Sequence, residues 1–424
     1  MTHFAVFAPP FPSHFRALEA LAVALIERGH RVTFVHQADA AGLLRDPRVG
    51  FAAVGQASHP PGSLAGILAR TAHPGGPIGL RRVIADVAAS TDMLCREGPA
   101  ALLALGVEAI LADQMEAAGG LLAEGLGLPW ASVACAVPIN REPRIPLPVM
   151  PWGYARTPFA ERLNDSSARV YDWLMAPHGR VIRQHARRFG LPERTALHEC
   201  LSPHVQISQT VAAFDFPRET PPPGFHAVGP LRDGPTREAP LELPGDDGRP
   251  LVFASLGTLQ GGRFRLFRRI ARACQALDLQ LLLAHCGKLD AAQSRRLEAA
   301  GARWVTDFAP QQAALQRATL TVTHAGLNTV MDALLAGTPM LTLPIAFDQP
   351  GVAARVVHSG CGLRLTPALA GTGALRRHLR RLLDEPAFTA RAQALGEAVA
   401  DAGGAPRAAA LIEAALGRAR ADVA

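Results

Sequence analysis

The sequence predicts an α/β protein built from two doubly wound, parallel-sheet halves that face one another across a cleft. Three observations carry that prediction. A strand, a special loop and a helix open the chain, and the same pattern starts again at residue 251. Between the two runs lies RDGPTREAPLELPGDDGRP, residues 232–250, rich in proline, glycine and charge and without periodicity, as in a linker. The 424 residues, 49% of them hydrophobic, suffice for two cores of roughly 200 residues each. The expected bounds are 1–235, a linker at 236–249, a second domain at 250–400, and a terminal segment at 401–424.

Taken in order, HFAVFA at 3–8 is a short apolar run that suits a buried strand. Pro9, Pro10 and Pro12 make a loop. Leu18, Leu21, Ala22, Leu25 and Ile26 recur at helical spacing within Ala17–Arg28, and Gly29 suits the stop. RVTFVH follows as a strand. Ala109–Ala112 is a strand, Met115–Gly125 a helix, and Trp130–Val137 another strand. Residues 138–160 are too dense in proline for regular structure, and a long apolar loop of this kind is often functional. Ser166–Phe189 is helical and basic, with Arg169, Arg180, Arg183, Arg187 and Arg188. In the second half, LVFAS is a strand, LGTLQGG a loop and Phe264–Leu277 a helix. LQLLLAH, a helix over 289–299, and the strand ARWVT come next. TLTVT at 319–323 is a strand, HAGLN a turn and Thr329–Ala336 a helix. Gly337 and Pro339 end that helix, MLTLP is the next strand, and Pro350 suits the first turn of the following helix.

Composition narrows the function classes. Net charge is +7, and Lys288 is the single lysine, so arginine carries the excess. That bias suits either a GC-rich genome or attraction to anions. No RNP, zinc-finger or homeodomain pattern supports nucleic acid, and no G-x-G-x-x-G follows the first strand to support a dehydrogenase. Cys95, Cys135, Cys200, Cys274, Cys286 and Cys361 form no C-x-x-C pair and stand at no zinc-ligand spacing. They are expected as buried free thiols in a reducing compartment. MTHFAVFAPPFPSHFRAL is not built as a signal peptide. The longest uncharged stretches, 125–140 and 333–347, contain prolines and are too short to span a membrane. The expected location is the cytoplasm.

Chemistry concentrates in two places. His324, Gly326, Asn328 and Thr329 stand where a strand hands over to a helix N-terminus. Small residues there expose backbone N–H groups to a phosphate, which the helix dipole also favours. Asp332 lies four residues past Asn328 on the same helix. Asp348 and Gln349 fall in the loop after the next strand, and an acid with an amide can hold sugar hydroxyls. In the first half, PPFPSHFRAL puts His14 just after the first strand, and ILADQ puts Asp113 at the end of a later one. By itself Asp113 also suits the cap of the helix that follows.

His-x-Gly-x-Asn-Thr, then Gly-Thr-Pro, then Asp-Gln resembles the donor-binding box of the inverting nucleotide-sugar glycosyltransferases, family 1, of the GT-B fold with two Rossmann-like domains. The resemblance implies that the box opens at Phe308-Ala-Pro-Gln311. Phe308 then offers an aromatic face to the base, where plant relatives have tryptophan, and Gln311 lies beside it. Asp332 would hold the ribose, His324 and Thr329 would face the pyrophosphate, and Asp348 and Gln349 would hold the sugar. Ser255, Gly257 and Thr258 in FASLGT match a second phosphate-side loop. His14 matches the general base and Asp113 its partner, acting on an acceptor hydroxyl. No cofactor and no metal are implied, and there is no Asp-x-Asp motif. The terminal helix, about 405–421, would cross back onto the first domain.

Further segments, among them APPFPSHFRAL, HPPGSLAGIL, ADQMEAAG, VACAVPINREPRIPLPVMP, YDWLM, FHAVGPLR and AFDQPGVAARV, resemble the bacterial zeaxanthin glucosyltransferases of carotenoid biosynthesis. That resemblance implies UDP-glucose as donor and the ring hydroxyls of zeaxanthin as acceptor, giving a mono- and then a di-β-glucoside. Other lipophilic aglycones (polyketide, macrolide, flavonoid), an epimerase on the same two-domain fold and a non-catalytic binding protein are the rival readings. Loop 143–159, with Trp152, Tyr154 and Phe159, is expected to line an acceptor channel. Helix 169–188 suits either peripheral contact with anionic lipid, at about 1 kcal/mol per arginine, or an ordinary solvated face.

Overall fold

The computed structural model describes residues 1–73, 76–232 and 240–421. The first sheet has seven strands: β1 His3–Phe7, β2 Arg31–Gln37, β3 Gly50–Val54, β4 Ala109–Asp113, β5 Trp130–Ala134, β6 Gln206–Ser208 and β7 Phe225–Ala227. The second has six: β8 Leu251–Ser255, β9 Gln280–Ala284, β10 Trp304–Thr306, β11 Leu320–Thr323, β12 Met340–Thr342 and β13 Gly362–Arg364. The orders are β3-β2-β1-β4-β5-β6-β7 and β10-β9-β8-β11-β12-β13, and the strand pairs are parallel. Each order reverses once, between β1 and β4 and between β8 and β11. A crevice opens at such a reversal, beyond the carboxyl ends of the strands. The strand sequences explain the layering. HFAVF, LVFAS and QLLLA are apolar without alternation because helices cover both faces, and every residue of these strands is buried.

On the first sheet, one face packs against the helices Pro12–Glu27 and Gly404–Ala421. The other packs against Gly76–Leu105, Ala117–Gly125 and Pro158–Arg188. On the second sheet, the helices Gln311–Arg317, Leu327–Leu335, Gln349–Ser359 and Ala387–Ala400 cover one face. The helices Phe264–Gln275 and Thr372–Asp384 cover the other.

Several boundaries differ from expectation for local reasons. The first helix begins at Pro12 rather than Ala17, because Pro12 is pre-set for a first turn and the Phe11 carbonyl accepts from the backbone N–H groups of His14 and Phe15. The strand expected over 130–137 ends at Ala134, where Gln209 and Gln114 side chains take the carbonyls of Cys135 and Val137. LGTLQGG holds a short helix, Gly257–Gln260, and the helix after HAGLN begins at Leu327. The basic helix starts at Pro158, capped by Thr157, and so includes Phe159. All six cysteines are free, five buried and Cys286 half-buried. Of the expected linker, residues 236–239 lie outside the described residues. Residues 244–249 are fastened to the second domain, where Asp246 accepts from Gln280 and Arg317, and Trp304 Nε1 donates to the Pro244 carbonyl.

The two domains meet along a seam built mainly by the proline-rich segment and by residues 211–218. Val137, Val211 and Phe214 enter the core of the second domain. Arg355, fully buried in the helix Gln349–Ser359, donates to Asp215 at 2.5 Å and stacks its guanidinium 4.2 Å over the Phe216 ring. Asp215 also accepts from Arg218 at 3.1 Å, and Arg218 reaches Glu142 at 2.8 Å. Gly351 donates its N–H to the Pro148 carbonyl at 2.9 Å, and Arg364 donates to the Pro151 carbonyl. Tyr154 stacks on Phe216 and meets His358 edge-on.

Removing one partner of a buried ion pair strands the other charge, at a cost of about 3–5 kcal/mol, whereas replacing both costs far less. Arg355→Met is therefore expected to lower the urea unfolding midpoint sharply, and Asp215→Leu combined with it to recover much of the loss. A wild-type midpoint for the single variant would mean that the pair does not hold the seam.

Candidate active site

The first switch point places the two candidate catalytic side chains. β1 and β4 are neighbours with Phe7 opposite Ala112, so Asp113 ends β4 beside the turn that carries His14 into its helix. His14 Nδ1 lies 2.6 Å from Asp113 Oδ2, and the other oxygen of Asp113 accepts the Met115 N–H at 2.8 Å. The helix after β4 is capped by Glu116, whose side chain accepts from the Ala118 N–H; Asp113 is left to the histidine. Burial opposes a charge on His14. The charge of Asp113, the hydrogen bond to it and the charge of Asp348 outweigh burial, and the pKa of His14 is raised above its ordinary value. The nearby charge of Asp348 comes from the opposite domain. Asp348 is half-buried, its pKa is raised by desolvation, and its carboxylate accepts from the Val137 N–H across the seam at 3.5 Å.

The second switch point gathers the remaining candidates. Ser255 ends β8, Gly257 and Thr258 open the short helix that follows, and the loop after β11 carries His324 and Gly326. The His324 ring lies between the two glycines. A Cβ on Gly257 or on Gly326 would stand 2.6 Å from it, and Gly257 also has φ +75°. Burial lowers the pKa of His324 to about 4, so the ring is neutral at pH 7 and can donate one N–H. Thr329 and Gln311 meet at 3.5 Å, and Gln311 donates to Asp332 Oδ2 at 2.7 Å. Phe308 is 68% exposed, an open ring face at the edge of this group. Gln349 turns its side-chain carbonyl inward onto the N–H groups of Ile345 and Ala346, both at 2.8 Å, and so fixes the loop that presents Asp348. Asn328 reaches across to the Ser13 carbonyl at 3.4 Å, one residue from His14.

Three features of this site were not visible in the sequence. Arg232 donates to Asp332 Oδ1 at 3.0 and 3.2 Å and to the Asn328 carbonyl at 3.1 Å, a pairing over about 100 residues that no local pattern announces. Cys286, Ala325 and Phe347 have φ of 55°, 67° and 57°, left-handed values that a non-glycine residue adopts at a cost. All three lie in loops beyond the carboxyl ends of β9, β11 and β12. Third, the acceptor-side candidates separate. Trp152 Nε1 donates to Asn164, Tyr154 is in the seam, and Phe159 stands 69% exposed on the outer helix. None of the three has a hydrogen bond or ring contact to His14 or Asp113.

Among the described residues, His14, Asp113 and Cys135 form the one group whose donor atoms lie close enough together to hold a metal, within 4.8 Å of one another. Within that group His14 and Asp113 are joined by the 2.6 Å hydrogen bond, the pairing that a proton relay uses.

Comparison with known proteins decides the family. The family described as Erythromycin biosynthesis protein CIII-like, C-terminal domain, matches residues 280–413. A zeaxanthin glucosyltransferase of Pantoea ananas is 49% identical over 97% of this chain and 96% of its own, and one of Pseudescherichia vulneris is 47% identical over 98% of both. The chain belongs to the zeaxanthin glucosyltransferase family. It is a glycosyltransferase of the GT-B fold. The glycosyltransferase of kitacinnamycin, a solved structure, shares that fold at TM-score 0.77 and 22% identity, covering 98% of this chain and 99% of its own. Within the family fold, the two switch points described above are the inner faces of the cleft. No helix among the described residues is long and apolar enough to cross a membrane.

The raised pKa of His14 has a sign that can be checked. The native state favours its charged form, so this stabilisation is fully present below 6.5 and fades as pH rises through the raised value. In Asp113→Asn the opposing burial dominates, and the pKa is expected to fall below 6.5. Imidazole NMR titration of both proteins measures this; an unmoved His14 signal would separate the two residues.

Proposed function

We propose that this glycosyltransferase moves glucose from UDP-glucose to the ring hydroxyls of zeaxanthin, giving first the mono- and then the di-β-glucoside. The observation that carries the mechanism is the His14–Asp113 pair facing Asp348 across the seam. With Nδ1–H donated to Asp113, the other ring nitrogen is free to take the proton of an acceptor hydroxyl. The oxygen then attacks the anomeric carbon, the bond to UDP breaks, and configuration inverts in one displacement. Asp113 steadies the imidazolium that forms. Near-full-length identity to proteins named for zeaxanthin supports the acceptor.

On the donor side, Phe308 is proposed to stack on the base, with Gln311 beside it. Asp332, steadied by Arg232 and Gln311, would accept the ribose hydroxyls on its remaining lone pairs. The neutral His324 would donate to the pyrophosphate along with Thr329, Ser255, Thr258 and the backbone N–H groups at Gly257, Gly326 and Asn328. Asp348 would hold sugar hydroxyls, placing the sugar beside the base. The amide N–H₂ of Gln349 would do the same, since its carbonyl is engaged. No metal or cofactor takes part in this scheme, and the leaving diphosphate is met by dipoles instead. We place the reaction in the cytoplasm, at the inner face of the membrane that dissolves the acceptor.

The test is purified enzyme with UDP-glucose and zeaxanthin in detergent micelles, read by liquid chromatography and mass spectrometry. Two successive hexose additions are expected, with kcat/KM reduced about 100- to 10,000-fold in His14→Ala. Because the base must be neutral, kcat/KM should fall on the acid side of a pKa above 6.5. UDP-glucose turnover on other aglycones but not on zeaxanthin would replace the acceptor.

A further inference from the structure

The helix Pro158–Arg188 buries Asn164, Ser167, His178, Ile182, His185 and Ala186 against the first domain. A second apolar face of the same helix points outward. Residues 159, 163, 166, 170, 173, 174 and 177 share one face at 3.6 residues per turn. On it, Phe159 and Trp173 are each 69% exposed and Val170 57%, with Leu174 exposed as well. An exposed tryptophan in a stripe of exposed apolar residues is unusual for a surface that meets only water.

Charge on this helix is arranged around the stripe. Arg162, Arg169 and Arg180 run along its border at spacings of seven and eleven residues. Arg162 and Arg180 have no ion pair or hydrogen bond among the described residues, and Arg169 pairs with the exposed Asp165 and donates to the Ser166 hydroxyl. The acids farther round are engaged by the proline-rich segment: Asp172 pairs with Arg141, and Glu161 with Arg144. The C-terminal arginines are less free than their number suggests. Arg183 and Arg187 share Glu193, and Arg188 lies over the Phe189 ring. Net positive charge therefore sits beside the aromatic stripe as well as at the helix end.

We propose that this outward face, with Phe159, Val170, Trp173 and Leu174 flanked by Arg162 and Arg180, docks on an anionic phospholipid surface. Apolar side chains at the acyl boundary with arginines level with the headgroups are the arrangement such a surface selects. The purpose rests on the proposed function, since an acceptor dissolved in lipid must be met there. The binding itself does not. The same helix receives hydrogen bonds from the proline-rich segment, Trp152 to Asn164 and Arg144 to Glu161, and that segment runs on to the seam.

The test uses the full chain with phosphatidylcholine vesicles, with and without phosphatidylglycerol and free of carotenoid. Binding is expected on the anionic vesicles and to weaken with salt. Arg162→Gln with Arg180→Gln should weaken it about thirtyfold, and Val170→Ser with Trp173→Ser roughly tenfold or more. Both double variants should glucosylate micellar acceptor at the wild-type rate and vesicle-borne acceptor more slowly. Unchanged co-sedimentation of the variants would overturn the proposal. So would an equal loss of rate in micelles, which would make the face part of the acceptor site, or loss of a dimer in sedimentation velocity, which would make it a protein interface. Vesicle binding without any glucosylation of zeaxanthin would overturn the proposed acceptor and leave the surface standing.

Discussion

The buried pair of Arg355 and Asp215 is the contact on which the geometry of the site depends. Arg355 lies two turns along the helix that begins just after Asp348. Fixing that helix against residues 211–218 of the first domain fixes where Asp348 stands relative to His14. The chain of charges from Arg355 through Asp215 and Arg218 to Glu142 adds little net stability for its size, because each ion gives up hydration. What it supplies across the seam is a directional contact, Arg355 to Asp215, which apolar packing alone lacks. The cation over Phe216 and the carbonyl of Pro148 on Gly351 add to that contact.

The two sides of the cleft are prepared differently. On the first domain, His14 and Asp113 are relaxed, joined by a short hydrogen bond at a strand end. On the second, three non-glycine residues are held left-handed beyond the strands, each at roughly 1–3 kcal/mol. The loops of Ala325 and Phe347 present His324 and Asp348, and the His324 ring packs between Gly257 and Gly326 with no room for a Cβ on either. Polar groups fixed before a diphosphate arrives need not reorganise when charge develops on it.

Much of this was legible in the sequence for a simple reason. Strands covered on both faces are short unbroken apolar runs, and β1, β2, β4, β8, β9 and β11 announce themselves. Asp113 ends such a run and His14 follows one, but their pairing came from the family resemblance and not from the run itself. β3 could not be seen, since GFAAV is half-exposed at the sheet edge. The helix Gly76–Leu105 hides behind an internal Pro99. Arg355, Asp215 and Arg232 carry no local signal, because their partners are about 100 residues or more away. The proline-rich segment is irregular as far as Thr157, as its prolines foretold, and of its aromatic residues Tyr154 packs in the seam while Trp152 bonds to Asn164.

Ala405, Ala408, Ala409, Ile412 and Leu416 fill the core under the helix that bears His14, and Glu413 binds Arg28 and His30 at that helix's far end. The first domain precedes the second along the chain but lacks this side of its core until residues 405–416 have been made. It waits, incompletely packed, while the second domain is synthesised. The helix that bears His14 is thus seated by a segment made after the second domain, so that a chain arrested before residue 405 would carry that helix without the floor that holds it.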